Sequence, residues 1–274
     1  MIKISNRLMT VASLISEGNV LADVGTDHGY VPIYLMEQGK IPRAIAMDIN
    51  AGPLERAKEH IAGCGMGDYI ETRLSDGLEA LRAGEAESIL IAGMGGGLVI
   101  HILEAGESVA RSAKELILQP QSELERVRIF LEKNGYVTDA EDMVFEDGKF
   151  YPMMRVHYEP ERGRLSRRLE GNQESRETQR GNGTEQAIPA AERESGEQGG
   201  TERRLGYLYG AGLLRQRHPV LLAYLKKERD TYRSIYENLR KQPAAGHIEI
   251  RLQEIENALA QNQMALAYYG DTQL

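Results

Sequence analysis

The run LADVGTDHGY at 21–30 sets two carboxylates, Asp23 and Asp27, and the imidazole of His28 among Gly25 and Gly29, where an apolar stretch gives way to a helical pattern. Glycine is needed where a chain must turn sharply and let a bound nucleotide come close, because a Cβ obstructs both. Asp27 stands where the pyrophosphate cradle G-x-G-x-x-G carries its middle glycine, so a dinucleotide is disfavoured. An anionic side chain there repels phosphate and attracts a cation. The sulfonium and ammonium groups of S-adenosyl-L-methionine are such cations, carried on a nucleoside.

Three further positions extend this chemistry. Asp48 closes a second apolar run, where a carboxylate accepts hydrogen bonds from both ribose hydroxyls. Capping the following turn is its alternative use. Asp76-Gly77 could meet the adenine amino group, although such pairs are also ordinary turns. The segment AGMGGG at 92–97 leaves room for two ligands, the methionine portion of the cofactor and the group that receives the methyl. It lacks the Lys-Ser/Thr of a P-loop, which argues against an NTPase. It also lacks an Asn/Asp-Pro-Pro-aromatic run, which would hold an exocyclic amine, so a ring nitrogen is favoured as acceptor. Gln119-Pro120 offers an amide able to read a base edge, or simply a strand-end turn.

A parallel sheet with crossover helices would bring these groups to one edge. Nearly continuous apolar runs at 20–25, 44–49, 88–93 and 115–120, with a shorter one at 69–76, predict five strands covered on both faces. Helical spacing with glycine-terminated ends fills 31–39, 52–65, 98–110 and 122–135 between them. The turn Glu146-Asp147-Gly148-Lys149 between alternating runs predicts an antiparallel hairpin at the sheet edge. The expected fold is therefore α/β, a mostly parallel Rossmann-like sheet over residues 1–158.

Beyond residue 158 the composition changes. Residues 159–204 are rich in Arg, Glu, Gln, Gly, Ser and Thr and hold almost no large apolar residue, so they read as a disordered, charge-balanced linker. Order returns in 205–274: Leu221, Leu225, Tyr232, Ile235 and Leu239, then Ile248, Leu252, Ile255 and Leu259, predict two antiparallel helices broken at PAAG (243–246). The net charge of −8 argues against a nucleic-acid partner only until it is divided. Residues 204–241 hold nine basic side chains against three acidic, a surface suited to phosphate or simply a solvated helix.

A single cysteine, Cys64, excludes an internal disulfide, and six scattered histidines have no metal-site spacing, so no metal is expected. The start MIKISNRLMT lacks signal-peptide layout and no run approaches a bilayer span, so the expectation is a cytoplasmic protein without a membrane partner.

With these residues assembled, the chain resembles the TrmK family of bacterial tRNA (adenine-22-N1)-methyltransferases. The resemblance rests on S-N-R-L near the start, LADVGTDHGYVPIYL, GPLERAK, RLSDGLEAL, IAGMGGGLVIHIL, LILQP, KNGY, the EDGKFY hairpin and YLYGAGLLRQRHP in the tail. It implies a class I methyltransferase fold, a C-terminal coiled coil that holds tRNA, and methyl transfer from S-adenosyl-L-methionine. Carried over by position, the cofactor contacts are Asp23, Gly25, Asp27, His28, Asp48, Asp76, Gly77 and Gly93, with Tyr30, Met94 and Gln119 nearer the acceptor base and Asp27 available to take a proton. A monomer is expected. The linker at 159–204 is longer and more polar than this family leads one to expect. Two other readings stay open: a methyltransferase for a protein or small molecule, which has no use for a basic hairpin, and a catalytically silent RNA-binding protein of the same fold.

Overall fold

The computed structural model describes residues 2–162, 190–243 and 246–270. Contacts divide the chain into two compact units, Met1–Ala187 and Ile188–Leu274.

The first unit is built on a seven-stranded sheet: β1 (Leu21–Val24), β2 (Ala44–Asp48), β3 (Ile70–Leu74), β4 (Ser88–Met94), β5 (Glu115–Pro120), β6 (Tyr136–Glu146) and β7 (Lys149–Tyr158), in the order β3-β2-β1-β4-β5-β7-β6. The first five are parallel, and β7 pairs antiparallel with both β5 and β6. All five parallel runs and the edge hairpin stand where the apolar patterning put them. Strand order reverses between β1 and β4, which makes their carboxyl ends the switch point where such sheets bind ligands.

Helices cover both faces, as continuous apolar strands require. One apolar cluster joins Ala22, Ile45, Ile89, Leu116 and Leu118 to α4 (Gly96–Ala105), α5 (Glu107–Ser112) and α6 (Leu124–Lys133). The other joins Leu21, Ala44, Leu90 and Ile117 to α1 (Asn6–Leu14), α2 (Tyr30–Glu37) and α3 (Ala51–Gly63). Two elements differ from the sequence expectation. The run 98–110 breaks at Gly106, whose missing Cβ would sit 2.6 Å from Leu78 Cβ; a close approach to the 75–81 turn, not helical spacing, decides the break. Residues 6–14 are helical with Ser5 as N-cap, its hydroxyl accepting from Leu8 N, a Ser-x-x signal at the chain start that hydrophobic periodicity alone does not single out.

The second unit comprises α7 (Ala190–Tyr209), α8 (Ala211–Arg215), α9 (Pro219–Arg240) and α10 (Gly246–Ala267). The segment read as a linker lies mostly outside the described residues, but from Ala190 it is helix and not tether. The expected antiparallel pair is α9 and α10. Leu221, Leu225, Ile248 and Ile255 are buried between them, whereas Tyr232, Ile235, Leu239, Leu252 and Leu259 are only half-buried. Glu228 ties three helices together, accepting from Tyr209 OH (2.8 Å), Tyr224 OH (2.9 Å) and Asn262 Nδ2 (2.9 Å).

Candidate functional site

The loop after β1 is bolted to β2 before any ligand is considered. Gly25 N and Thr26 N both donate to Met47 O, at 2.8 and 3.0 Å, which holds the turn open above the sheet edge. Asp23 lies inside it, 6% exposed, and accepts from Thr26 Oγ1 at 2.7 Å. Burial raises its carboxyl to about 6; the Thr26 hydrogen bond works against that rise and the nearby charge of Asp48 adds to it. This is a carboxylate kept in an environment that a cation would relieve.

Asp48 is 8% exposed at the end of β2, and the bond it makes is the turn-capping one. Its Oδ1 accepts from Asn50 N at 2.8 Å, a turn-capping bond, while Oδ2 has no partner among the described residues. Asp76 is exposed just after β3, in a turn that Ser75 builds by donating to Gly77 O and accepting from Ala80 N. Gly77 has φ +54°, and its absent Cβ would meet Ile102 at 3.1 Å, so that glycine serves the packing of α4 as well as any ligand.

Asp27 is placed differently from its neighbours. Its side chain is 60% exposed and its Oδ1 is already engaged by Arg56 Nη2 at 3.0 Å, with His28 Nε2 at 3.5 Å. Arg56, on α3, reaches back to the loop, so Asp27 does not present the unpaired anion that the sequence suggested. The buried carboxylate is Asp23. His28 adopts φ +67°, stacks on Tyr30 (centroids 5.2 Å apart), and its carbonyl is 2.8 Å from His60 Nδ1. Tyr30 in turn meets His60 edge-on at 5.3 Å, so both loop aromatics are positioned by α3.

The glycines of β4 divide into two kinds. Gly93, φ +80°, is exposed at an irregularity in the β4–β5 register, and among the described residues beyond its chain neighbours only Gln121 Nε2 (3.7 Å) lies within 4 Å of where a Cβ would be. The space over it is open. Gly96 is different: a Cβ there would stand 2.5 Å from Ser122 O, because α4 starts against the loop before α6, where Glu123 Oε2 accepts from Gly97 N at 2.9 Å. Hydrogen bonds from Arg126 and from that backbone N–H hold the Glu123 carboxyl below the usual range. The AGMGGG run therefore opens a site at one glycine and packs a helix with another. Met94 bridges the two strand ends, its Cε lying 2.4 Å from the position a Gly25 Cβ would take.

Gln119 is enclosed, with no exposed surface, and its Oε1 accepts from Arg7 Nη1 at 2.9 Å. A base does not meet it as it stands. The exposed amide beside Gly93 is that of Gln121, which hydrophobic patterning passed over because it lies one step beyond the strand. Arg7, Thr26, Arg56 and His60 were missed as well, although Arg7 lies in S-N-R-L, Thr26 in LADVGTDHGY and Arg56 in GPLERAK; only His60 stands outside every such run. The structure thus gathers Asp23, Gly25, Asp48, Met94 and Gly93 at neighbouring strand ends, sets Asp76 at the next, pairs Asp27 with Arg56 and encloses Gln119 against Arg7. Among the described residues no group of His, Cys, Asp and Glu could hold a metal ion, and no helix is long and apolar enough to cross a membrane.

The edge of the sheet has relatives. Residues 4–154 match the family described as methyltransferase domain. A tRNA (adenine(22)-N(1))-methyltransferase of Bacillus subtilis (strain 168) is 43% identical over 153 residues, 56% of this chain and 64% of that protein, so the alignment spans just under two thirds of the relative. The crystal structure of the B. subtilis M1A22 tRNA methyltransferase TrmK superposes with a TM-score of 0.73 at 30% identity, over 97% of this chain and 100% of the other. Streptococcus pneumoniae Sp1610 in complex with S-adenosyl-L-methionine superposes with a TM-score of 0.72 at 28% identity, over 96% of this chain and 100% of the other.

Proposed function

Since the chain belongs to the methyltransferase-domain family and, within it, to the TrmK family, we propose that it transfers a methyl group from S-adenosyl-L-methionine to N1 of adenine 22 in tRNA. The observation that carries this reading is the open floor at Gly93 beside two carboxylates, Asp23 and Asp48, that are both over nine-tenths buried on adjacent parallel strands. A nucleoside carrying a positive charge suits that pair: Asp48 Oδ2 accepts from ribose hydroxyls, and Asp23 gains from a nearby cation what burial takes from it. Asp76 and Gly77 border the adenine end, and the bare backbone at Gly93 lets the amino-acid portion approach.

When bound, the cofactor supplies an electrophilic methyl. The chain's own residues align an acceptor nitrogen whose lone pair is already free near neutral pH, so positioning and electrostatics outweigh proton abstraction. Met94, Tyr30 and Gln121 border the open side and shield the reacting atoms from water. N1 lies on the pairing edge of adenine, so the base must be unpaired or turned out of its stack before it enters. The basic face of the second unit holds the rest of the tRNA, and the protein works in the cytoplasm as a monomer.

The test is incubation of the purified chain with labelled cofactor and bulk tRNA, followed by mass-spectrometric mapping of the modified nucleoside. N1-methyladenosine at position 22 is expected, with Asp23→Ala, Asp48→Ala and Gly93→Val each losing activity. Full activity in all three, or a methyl on another nucleoside, overturns the assignment.

A further inference from the structure

We infer that Gln121 selects adenine over guanine as the base to be methylated. Its side-chain amide pairs with the Hoogsteen edge, Oε1 accepting from the N6 amino group and Nε2 donating to N7, so that N1 stays bare. The inference rests on the methyl-transfer reading above and deepens it. Gln119, the amide that the sequence offered for this task, is enclosed and held by Arg7. Gln121 is exposed.

Backbone contacts fix its place. Gln121 N donates to Met94 O at 2.8 Å, immediately after the last pair between β4 and β5, Met94 with Pro120. The side chain reaches back over the bare turn of β4, where Nε2 lies 3.7 Å from the position a Gly93 Cβ would take. Strand order separates two ligands here: Asp23 and Asp48 stand near the ends of β1 and β2 on one side of β4, and Gln121 follows β5 on the other. A base approaching the methyl from the β5 side meets this amide. The other polar side chains of the turn are committed. Ser122 Oγ accepts from Gly96 N at 3.3 Å, and the Glu123 carboxylate accepts from Gly97 N at 2.9 Å and Arg126 Nη1 at 2.8 Å. The Gln121 amide has no hydrogen-bond partner among the described residues, so it turns either end to a ligand without breaking a bond.

An amide sets one donor and one acceptor side by side, and the Hoogsteen edge of adenine presents the matching pair, the N6 donor beside the N7 acceptor. Guanine shows two acceptors there, O6 and N7, so Oε1 is repelled. The pairing edge of adenine also holds a donor and an acceptor, but an amide on it would cover N1, the atom that reacts. In the transfer N1 gives its lone pair to the methyl carbon while the carbon–sulfur bond breaks and its electrons stay on sulfur. The ring ends as a cation whose charge spreads to the amino group. The N6–H bond to Oε1 therefore strengthens as transfer proceeds, which makes the contact tighter in the transition state than in the bound substrate.

The experiment gives the full chain two tRNA transcripts, one with adenosine and one with 7-deazaadenosine at position 22. The second base keeps N1 and N6 and has carbon in place of N7. For wild type the 7-deaza transcript is expected to lower kcat/KM on the order of ten-fold, the loss of one hydrogen bond. Gln121→Ala is expected to lose at least as much on the adenosine transcript, to treat the two transcripts alike, and to bind cofactor by calorimetry as wild type does. Gln121→Glu keeps the shape and the acceptor for N6 but loses the donor to N7, so it too should not distinguish them. Variants that still favour adenosine by the wild-type ratio overturn the inference. Weaker cofactor binding with that ratio intact overturns it as well and places the amide on the cofactor. If wild type methylates neither transcript, the methyl-transfer reading falls and the inference with it; if it methylates both and the losses simply add, the inference alone falls.

Discussion

Arg7 Nη1 donates to Gln119 Oε1 across 2.9 Å, joining the first helix to the end of β5 beside the ligand edge. Because the oxygen faces Arg7, Gln119 Nε2 is a buried donor without a partner among the described residues. Such an orphan costs about 1–3 kcal/mol, and a core methionine of similar volume removes it. Gln119→Met should therefore leave the free protein as stable as wild type or more so. If the amide serves the reaction, kcat/KM for tRNA should fall about ten-fold while cofactor affinity holds. Thermal melts and steady-state kinetics read the two effects separately; unchanged kcat/KM would make Gln119 a purely structural residue.

Asp23 trades stability for binding. Its folded carboxyl is raised from 3.8 to about 6, so the native state holds a proton that the unfolded chain has released, and stability falls as pH rises through that window. At pH values above the window the penalty is roughly 3 kcal/mol at most. Asp23→Asn keeps an acceptor for Thr26 and never ionises. It should melt higher than wild type at neutral pH, lose that advantage near pH 4, and bind the cofactor at least ten-fold more weakly. An equal melting difference at both pH values would show that ionisation of Asp23 is not the cause.

Arg128 on α6 and Glu141 on β6 form a buried pair, 8% and 2% exposed at the side chains, with Nη2 to Oε1 at 3.0 Å and Nε to Oε1 at 3.2 Å. Removing one partner of such a pair strands the other charge and costs about 3–5 kcal/mol. Glu141→Ala should accordingly lower denaturant stability by several kcal/mol, while the paired change Arg128→Met/Glu141→Leu should recover most of it. A double variant no more stable than the single would show that the bonds themselves, not the stranded charge, carry the effect. The pair ties α6 to the edge strand β6, away from the carboxyl ends of β1 and β4, so cofactor affinity of the folded fraction should not change.

Period and punctuation made the sheet legible. The apolar runs ending in Asp23, Asp48 and Gly93 could only be strands buried on both faces, and their carboxyl ends had to share one edge. What stayed hidden depended on contacts between residues far apart in sequence. Nothing near Asp27 in the chain announces Arg56, which neutralises it from α3. Nothing in LILQP shows that Gln119 faces α1 instead of the open edge. The boundary at residue 204 failed for another reason: the polar composition of 190–204 lacks a core-forming stripe, yet the helix that ends with the buried Leu205 and Tyr209 begins at Ala190. Composition reports what a segment can bury and says little about how far a neighbouring helix propagates.

The two glycines of β4 and α4 should respond in opposite ways to the same added atoms. At Gly96 a Cβ would meet Ser122 O at 2.5 Å, with Glu123 Cβ and Val127 Cγ2 at 2.9 Å, and backbone cannot step aside as a side-chain tip can. Gly96→Ala should destabilise the fold by about 1–3 kcal/mol, yet the protein that remains folded should bind cofactor normally. At Gly93 the surroundings are open, so Gly93→Ala meets only the cost of φ +80°, about 1–2 kcal/mol. Its methyl group, however, projects where the bare backbone lets the cofactor approach, and affinity should drop more than ten-fold. Denaturant titration and calorimetry on the two variants give two rank orders. They should be reversed with respect to each other; if Gly93→Ala binds cofactor as tightly as Gly96→Ala, the ligand does not lie over Gly93.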